Sequence, residues 1–196
     1  MQIILATTNL HKIREIKDIL KLIPNLDILT LAQFPHYSPL EETGKTFEEI
    51  VIQKATHAAK QLNGVVLADD SGISVAALKN APGVRSKRYA GDHATDSENR
   101  KKLLSALSAF SGDERVATMT CSVALASPEG LIKCVTGFCE GTIATEERGR
   151  NGFGYDPLFI KLEYEKTFAE LDESTKNRIS HRRKAFERML NTLASL

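Results

Sequence analysis

Residues 2–20, QIILATTNLHKIREIKDIL, carry two successive hydrophobic periods that decide the fold. Ile3, Ile4 and Leu5 are consecutive apolar residues within 2–6, the pattern of a strand buried on both faces. After a polar break at Thr7-Thr8-Asn9, Ile13, Ile16, Ile19 and Leu20 recur at helical spacing and predict an amphipathic helix. Residues 26–31 then read as a second strand. Thr46-Phe47-Glu48-Glu49 is a capping box that opens a helix to about Leu62. Residues 65–68 form a third strand, which ends in the turn-like Asp69-Asp70-Ser71-Gly72.

Further along, Thr95-Asp96-Ser97-Glu98 is a second capping box, and its helix runs to about Leu107. The pattern then becomes strand-rich, with strands predicted over 115–126, 131–138 and 139–144 and turn chemistry at Ser127-Pro128-Glu129-Gly130. A glycine-rich loop covers 149–154. A final helix runs from about Lys176 to Leu196, with Ile179, Phe186, Leu190 and Leu193 on one face. Strand–helix alternation followed by a strand-rich block predicts an α/β protein with a central mixed β-sheet, flanking helices and two lobes around an active-site cleft. With no internal repeat, low-complexity tract or Pro/Gly/Ser linker, residues 1–196 read as a single domain.

The chain has 26 Lys+Arg and 25 Asp+Glu, a net charge of +1. That balance argues against a general nucleic-acid binder, which needs a broad basic face. It leaves room for a small anionic ligand, which needs only a local cluster of cations. No apolar run reaches the roughly 20 residues of a membrane span, and the short apolar start lacks the form of a signal peptide. Cys121, Cys134 and Cys139 are an odd, sparse set, read as reduced thiols in a cytoplasmic protein and as packing residues rather than zinc ligands.

Four polar constellations carry chemistry. Thr7 to Lys12 join a strand to a helix, so hydroxyls, the Asn9 amide and helix-start N–H groups suit an anion; equally, Asn9 suits a helix cap. Glu41 and Glu42, with Asp69 and Asp70, supply the oxygen ligands that Mg²⁺ prefers, although Asp-Ser-Gly also suits a solvated turn. Lys54 stands on the neighbouring helix, where it either offsets this charge or faces solvent. Gly152-Phe153-Gly154-Tyr155-Asp156 places an aromatic ring between two glycines, able to stack on a base or to fold into the core. Lys176, Ser180, His181 and Arg182 open the last helix with donors that suit a base carbonyl, or with a solvated basic face.

Taken together the segments TTNLHK (7–12), LEETGKTFEE (40–49), ADDSG (68–72), APGVRSKRYAG (81–91), GFGYDPLF (152–159), TFAEL (167–171) and KNRISHR (176–182) resemble the inosine-triphosphate pyrophosphatase family. They occur in the family's order and span nearly the whole chain. The resemblance implies Mg²⁺-dependent hydrolysis of non-standard purine nucleoside triphosphates to monophosphate and pyrophosphate. It assigns the triphosphate to Thr7, Thr8, Asn9, Leu10, His11 and Lys12, and the metal to Glu41 and Asp70. Asp70 is also the implied proton acceptor, and Ser71 a substrate contact. Phe153, Gly154, Tyr155, Asp156, Lys176, His181 and Arg182 are implied to line the base pocket, and a homodimer is implied as the assembly. Asp69 is expected beside this centre as a supporting or second-metal carboxylate.

The sequence departs from the family pattern at Ile50, Ala76, Lys87 and Met119. Ile50 bears most on function, because it stands where the family carries Asn near the metal site. A Maf-like pyrophosphatase acting on other bases is the nearest alternative enzyme. A nucleotide sensor without turnover and a scaffold protein are the alternatives from other classes.

Overall fold

Ile3, Ile4 and Leu5 do form a strand, β1 (Gln2–Leu5), and all three are buried. A computed structural model describes every residue from Met1 to Leu196. β1 leads into α1 (Leu10–Leu20), then into β2 (Asp27–Thr30), which pairs with β1 in parallel, Gln2 opposite Asp27 and Leu5 opposite Thr30. α2 (Phe47–Leu62) starts where the first capping box predicts, with the Thr46 side chain accepting from the Glu49 N–H. It ends at Asn63 in the left-handed conformation. β3 (Val66–Val75) lies on the other side of β1, again parallel, with Ile4 opposite Val66 and Leu5 opposite Leu67.

α3 (Asp96–Ala106) carries the second capping box, with both reciprocal bonds between Thr95 and Glu98 formed. β4 (Val116–Ser127), β5 (Gly130–Ile143) and β6 (Phe159–Lys161) complete a six-stranded mixed sheet in the order β2-β1-β3-β4-β5-β6, with β6 antiparallel to β5. α4 (Glu173–Ile179) and α5 (His181–Ala194) close the chain.

Three boundaries differ from the sequence expectation. The Asp69-Asp70-Ser71-Gly72 segment is not a turn but the middle of β3. Apolar Leu67, Ile73 and Val75 extend the strand on either side, and cations take up the Asp69 charge that otherwise would force the chain to solvent. The two strands expected over 131–144 are one strand, β5, because the junction residues Phe138 and Cys139 carry no turn chemistry. The single last helix is two, separated by Ser180, whose extended backbone (φ −71°, ψ 158°) ends α4 while its N–H still reaches the Lys176 carbonyl.

The chain divides into two compact units. The first comprises Met1–Asp70, Cys121–Gly137 and Arg182–Leu196. Its sheet segment is buried on both faces, as parallel strands require. Ile3, Leu5 and Leu67 pack with Ile16, Ile19 and Leu20 of α1 and Phe186 and Met189 of α5. Ile4, Val66 and Ala68 pack on the opposite face with Val51, Ala55 and Ala58 of α2. The second unit comprises Ser71–Thr120 and Phe138–His181, with a core of Ile73, Val75, Leu103, Leu107, Leu158, Phe159 and Phe168. Cys121 and Cys139 are buried, Cys134 is half-buried, and all three are free thiols. Burial pushes the Cys121 thiol up to about 12, which fits a packing role. No helix is long and apolar enough to cross a membrane.

Candidate active site

Because β3 continues through the acidic pair, successive side chains alternate faces, and the two aspartates have different partners. Asp69 shares the face of Leu67, towards α1 and α5. It is fully buried, its Oδ2 3.0 Å from Lys12 Nζ and 3.2 Å from Arg182 Nη2. Arg182, also buried, holds Glu15 of α1 with its other guanidinium nitrogen. Burial alone would raise the Asp69 carboxyl, but Lys12 and Arg182 outweigh it and hold the group down to about 2. Its second oxygen, Oδ1, is buried without a hydrogen-bond partner.

Asp70 shares the face of Val66 and Ala68, towards α2. Its oxygen lies 3.8 Å from Lys54 Nζ, and its side chain keeps 15% exposure. The same ammonium is 3.1 Å from Glu42 Oε1. Burial raises the Asp70 carboxyl; Lys12 and Lys54 pull it down, while Glu42 and Asp69 push it further up, and the balance stays above the ordinary value. Lys54 responds in the complementary way. Burial disfavours its charge, but Asp70 and Glu42 more than compensate and raise it.

The carboxylate that the structure brings to Lys54 and Asp70 is thus Glu42, while Glu41 is exposed. Ile50 is buried and seats the segment that carries Glu42. A Cβ added at Gly44 would stand 2.7 Å from Ile50 Cγ1, so this contact depends on glycine. Ile50 is thus an apolar support for the acidic loop. No three His, Cys, Asp or Glu side chains converge as a metal-holding group. A pair of carboxylates is nevertheless what magnesium commonly takes, the remaining positions going to phosphate oxygens and water. The oxygen-only donors of Glu42 and Asp70, both drawn to one ammonium, fit such an ion.

Before α1, Asn9 caps the helix. Its Oδ1 accepts from the N–H groups of His11 (3.0 Å) and Lys12 (3.2 Å), and its own N–H donates to Thr7 Oγ1. Those helix-start donors are therefore engaged by the cap. Thr8, Leu10 and His11 are exposed, while Lys12 turns in to Asp69.

In the second unit, residues 152–156 form a tight loop. Gly152 and Gly154 adopt φ +74° and +60°, a region that glycine enters freely. A Cβ at Gly152 would meet Asp156 Oδ2 at 2.0 Å. That buried carboxylate accepts from the Phe153 N–H at 2.9 Å and from Lys176 Nζ at 2.5 Å. The Lys176 ammonium lies 4.9 Å from the centre of the half-buried Phe153 ring. Tyr155 turns into the core, its hydroxyl donating to the Ser86 carbonyl at 2.8 Å. His181 is buried at the end of this unit, and Ser71 lies in β3.

Of the residues read from sequence, Lys12, Asp69, Asp70 and Arg182 come together in the first unit, and Phe153, Gly154, Tyr155, Asp156 and Lys176 in the second. Arg182 pairs with Asp69 and Glu15. Glu15 carries no expectation from sequence, and Glu42 is a candidate oxygen donor there without being one of the two residues to which the resemblance assigns the metal. Glu15 follows Lys12 by three residues, a helical spacing that puts both on one side of α1 and offered a signal. Glu42 sat beside Glu41 with nothing local to separate the two.

The fold is a helix-flanked mixed α/β sheet that carries a buried, cation-held aspartate beside a raised, partly exposed one. The chain belongs to the Ham1 family, whose model matches residues 3–192. It is 58% identical over its full length to a dITP/XTP pyrophosphatase of Protochlamydia amoebophila, covering 99% of that protein. It is 44% identical to the dITP/XTP pyrophosphatase of Chlamydia caviae, covering the whole chain and 96% of the relative. Its fold is similar to that of a HAM1 protein from Coxiella burnetii, with a TM-score of 0.90, 43% identity and full coverage of both chains. The family resemblance carried by the motifs and the relatives' names agree: the chain is a nucleoside-triphosphate pyrophosphatase, a hydrolase.

Proposed function

We propose that this hydrolase removes non-standard purine nucleotides, cleaving dITP, XTP and ITP to the monophosphate and pyrophosphate and so keeping them out of DNA and RNA. The observation that carries this reading is Asp70, a carboxylate held above its ordinary range yet open to solvent, facing Lys54 and Glu42. A carboxylate with a raised pKa is the better proton acceptor. Asp70 takes the proton of the water that attacks the α-phosphorus, and the bond to the β-phosphate oxygen breaks. Lys12 stabilises charge on the departing pyrophosphate, with Thr7 to His11 as its neighbours at the phosphate end. Asp69, held by Lys12 and Arg182, keeps that lysine aimed at the site. The cofactor this reading calls for is Mg²⁺, which Asp70 with Glu42 would hold, Glu41 standing beside them, and which would supply charge neutralisation for the triphosphate.

Phe153 offers its ring to the base, and Lys176 and His181 donate towards the 6-oxo group that hypoxanthine and xanthine carry and adenine lacks. A site built to hydrogen-bond one group can reject an analogue that fails to do so by roughly 10⁴–10⁵. Residues 1–196 act as one catalytic domain, in a cytoplasmic homodimer. The test is product identification with ITP, dITP, XTP, ATP, GTP and dUTP, with and without Mg²⁺. Pyrophosphate from the first three in the presence of Mg²⁺ is expected, and orthophosphate as the primary product would overturn the reaction. Glu42→Gln is expected to weaken the Mg²⁺ response more than Glu41→Gln; the reverse order would return the metal to Glu41.

A further inference from the structure

We propose that Asp96 and Arg100 of α3 are positioning residues for the purine pocket, fixing the plane of the Phe153 ring by gripping the peptides on either side of Gly154. This rests on the reading above that Phe153 stacks on the base. The Gly154 N–H donates to Asp96 Oδ2 at 2.7 Å, and Arg100 Nη1 donates to the Gly154 carbonyl at 2.9 Å. Asp96 and Arg100 stand four residues apart, one turn of the same helix, so both ends of one glycine are held by one rigid element. Both bonds are charge-assisted and stronger than their neutral counterparts. Arg100 is steadied in turn by Glu147, 3.0 Å from its Nε.

The helix is itself well anchored. Leu103 and Leu107 bury its far end, and the Thr95–Glu98 capping box closes its start. Asn99, on the same helix, accepts from the Ala90 N–H at 2.8 Å and donates to the Lys87 carbonyl at 2.9 Å. The segment 86–90 is thereby tied to the same helix, and Tyr155, next to Gly154, bonds the Ser86 carbonyl. α3 is thus a frame from which the glycine loop is held.

The need for a frame follows from the loop's own chemistry. Gly154 at φ +60° has no side-chain atom within 4 Å of where a Cβ would stand, so packing does not restrain it. A free glycine there would let the preceding Phe153 ring swing. The grip removes that freedom before substrate arrives, which lowers the ordering cost of binding. Neither Asp96 nor Arg100 touches the reacting atoms.

The test compares Asp96→Ala, Asp96→Asn, Arg100→Leu and Glu147→Gln with the unmodified full-length enzyme, using ITP with Mg²⁺. Asp96→Ala and Arg100→Leu are expected to raise KM for ITP about tenfold, the weight of one charge-assisted hydrogen bond, with kcat changed less than about twofold. Asp96→Asn keeps an acceptor oxygen and is expected to recover most of the loss. Glu147→Gln, which leaves the grip in place but loosens Arg100, is expected to give a smaller rise. Unchanged KM in Asp96→Ala and Arg100→Leu overturns the proposal, as does an Asp96→Asn variant no better than Asp96→Ala. If the unmodified enzyme releases no pyrophosphate from ITP, the functional reading fails and the proposal with it; normal turnover with unmoved variants removes the grip alone.

Discussion

Adjacent aspartates on one strand have opposite energetics. The Asp69 carboxyl is held down by Lys12 and Arg182, so its ionised form supports the fold. The Asp70 carboxyl is raised, so its ionised form opposes the fold at neutral pH, and an uncharged isostere relieves that opposition. Asp70→Asn is therefore expected to lose activity by about 10²–10⁴ while its melting temperature stays level or rises. Asp69→Asn is expected to lose stability, because Arg182 and Lys12 are left with less compensation in a buried site. Melting curves alongside pyrophosphate release check the pair. An Asp70→Asn protein less stable than Asp69→Asn would remove the distinction. At Gly152, a methyl group would enter the space of the Asp156 carboxylate that holds Lys176. Gly152→Ala is expected to weaken purine binding, seen as a raised KM for ITP with the far-ultraviolet circular dichroism unchanged.

Elements depend on residues that lie outside them in sequence. Arg115, just before β4, is buried and donates to the carbonyls of Leu107, Phe110, Ile143 and Ala144. It thereby closes the C-terminal end of α3 and the end of β5 together. Arg115→Met keeps the apolar stem and strands these acceptors. A loss of about 3 kcal/mol is expected from groups left unsatisfied, measured by urea unfolding. A loss below about 0.5 kcal/mol, the usual range of a surface substitution, would show that water replaces the guanidinium. The support of Ile50 for Gly44 is of the same kind. Gly44→Ala forces a methyl group against Ile50 Cγ1, and is expected to weaken the Mg²⁺ response through displacement of Glu42. Titration of activity against Mg²⁺ measures it, and an unchanged half-saturation would exclude that coupling.

For the whole molecule, the cation-held Asp69 sets part of the acid limit. Its folded carboxyl sits at about 2 against an ordinary 3.8, so its contribution is fully present above the ordinary value and lost as pH falls towards 2. In metal-free protein, the stability advantage of the native chain over Asp69→Asn is expected to shrink by about 2 kcal/mol across that window, measured by urea midpoints. An advantage independent of pH would remove the ion-pair account.

Much of this organisation was legible beforehand. Ile3 to Leu5, the Ile13–Leu20 stripe and the two capping boxes are local patterns, and each became the element expected. The acidic segment was misread because Asp-Ser-Gly is locally a turn, and only the cations brought from α1, α2 and α5 let it run on as a strand. The choice of Glu42 for the side facing Lys54, and of Arg182 for Asp69, followed from contacts between residues far apart in the chain. Sequence by itself determined most element types and the polar groups available, since those rest on periodicity and composition within short windows, and it pointed to the family through the ordered resemblance of its motifs. Only the tertiary structure decided which aspartate is neutralised and which remains open, because strand parity directs each to a different helix and burial sets the worth of every charge it meets there.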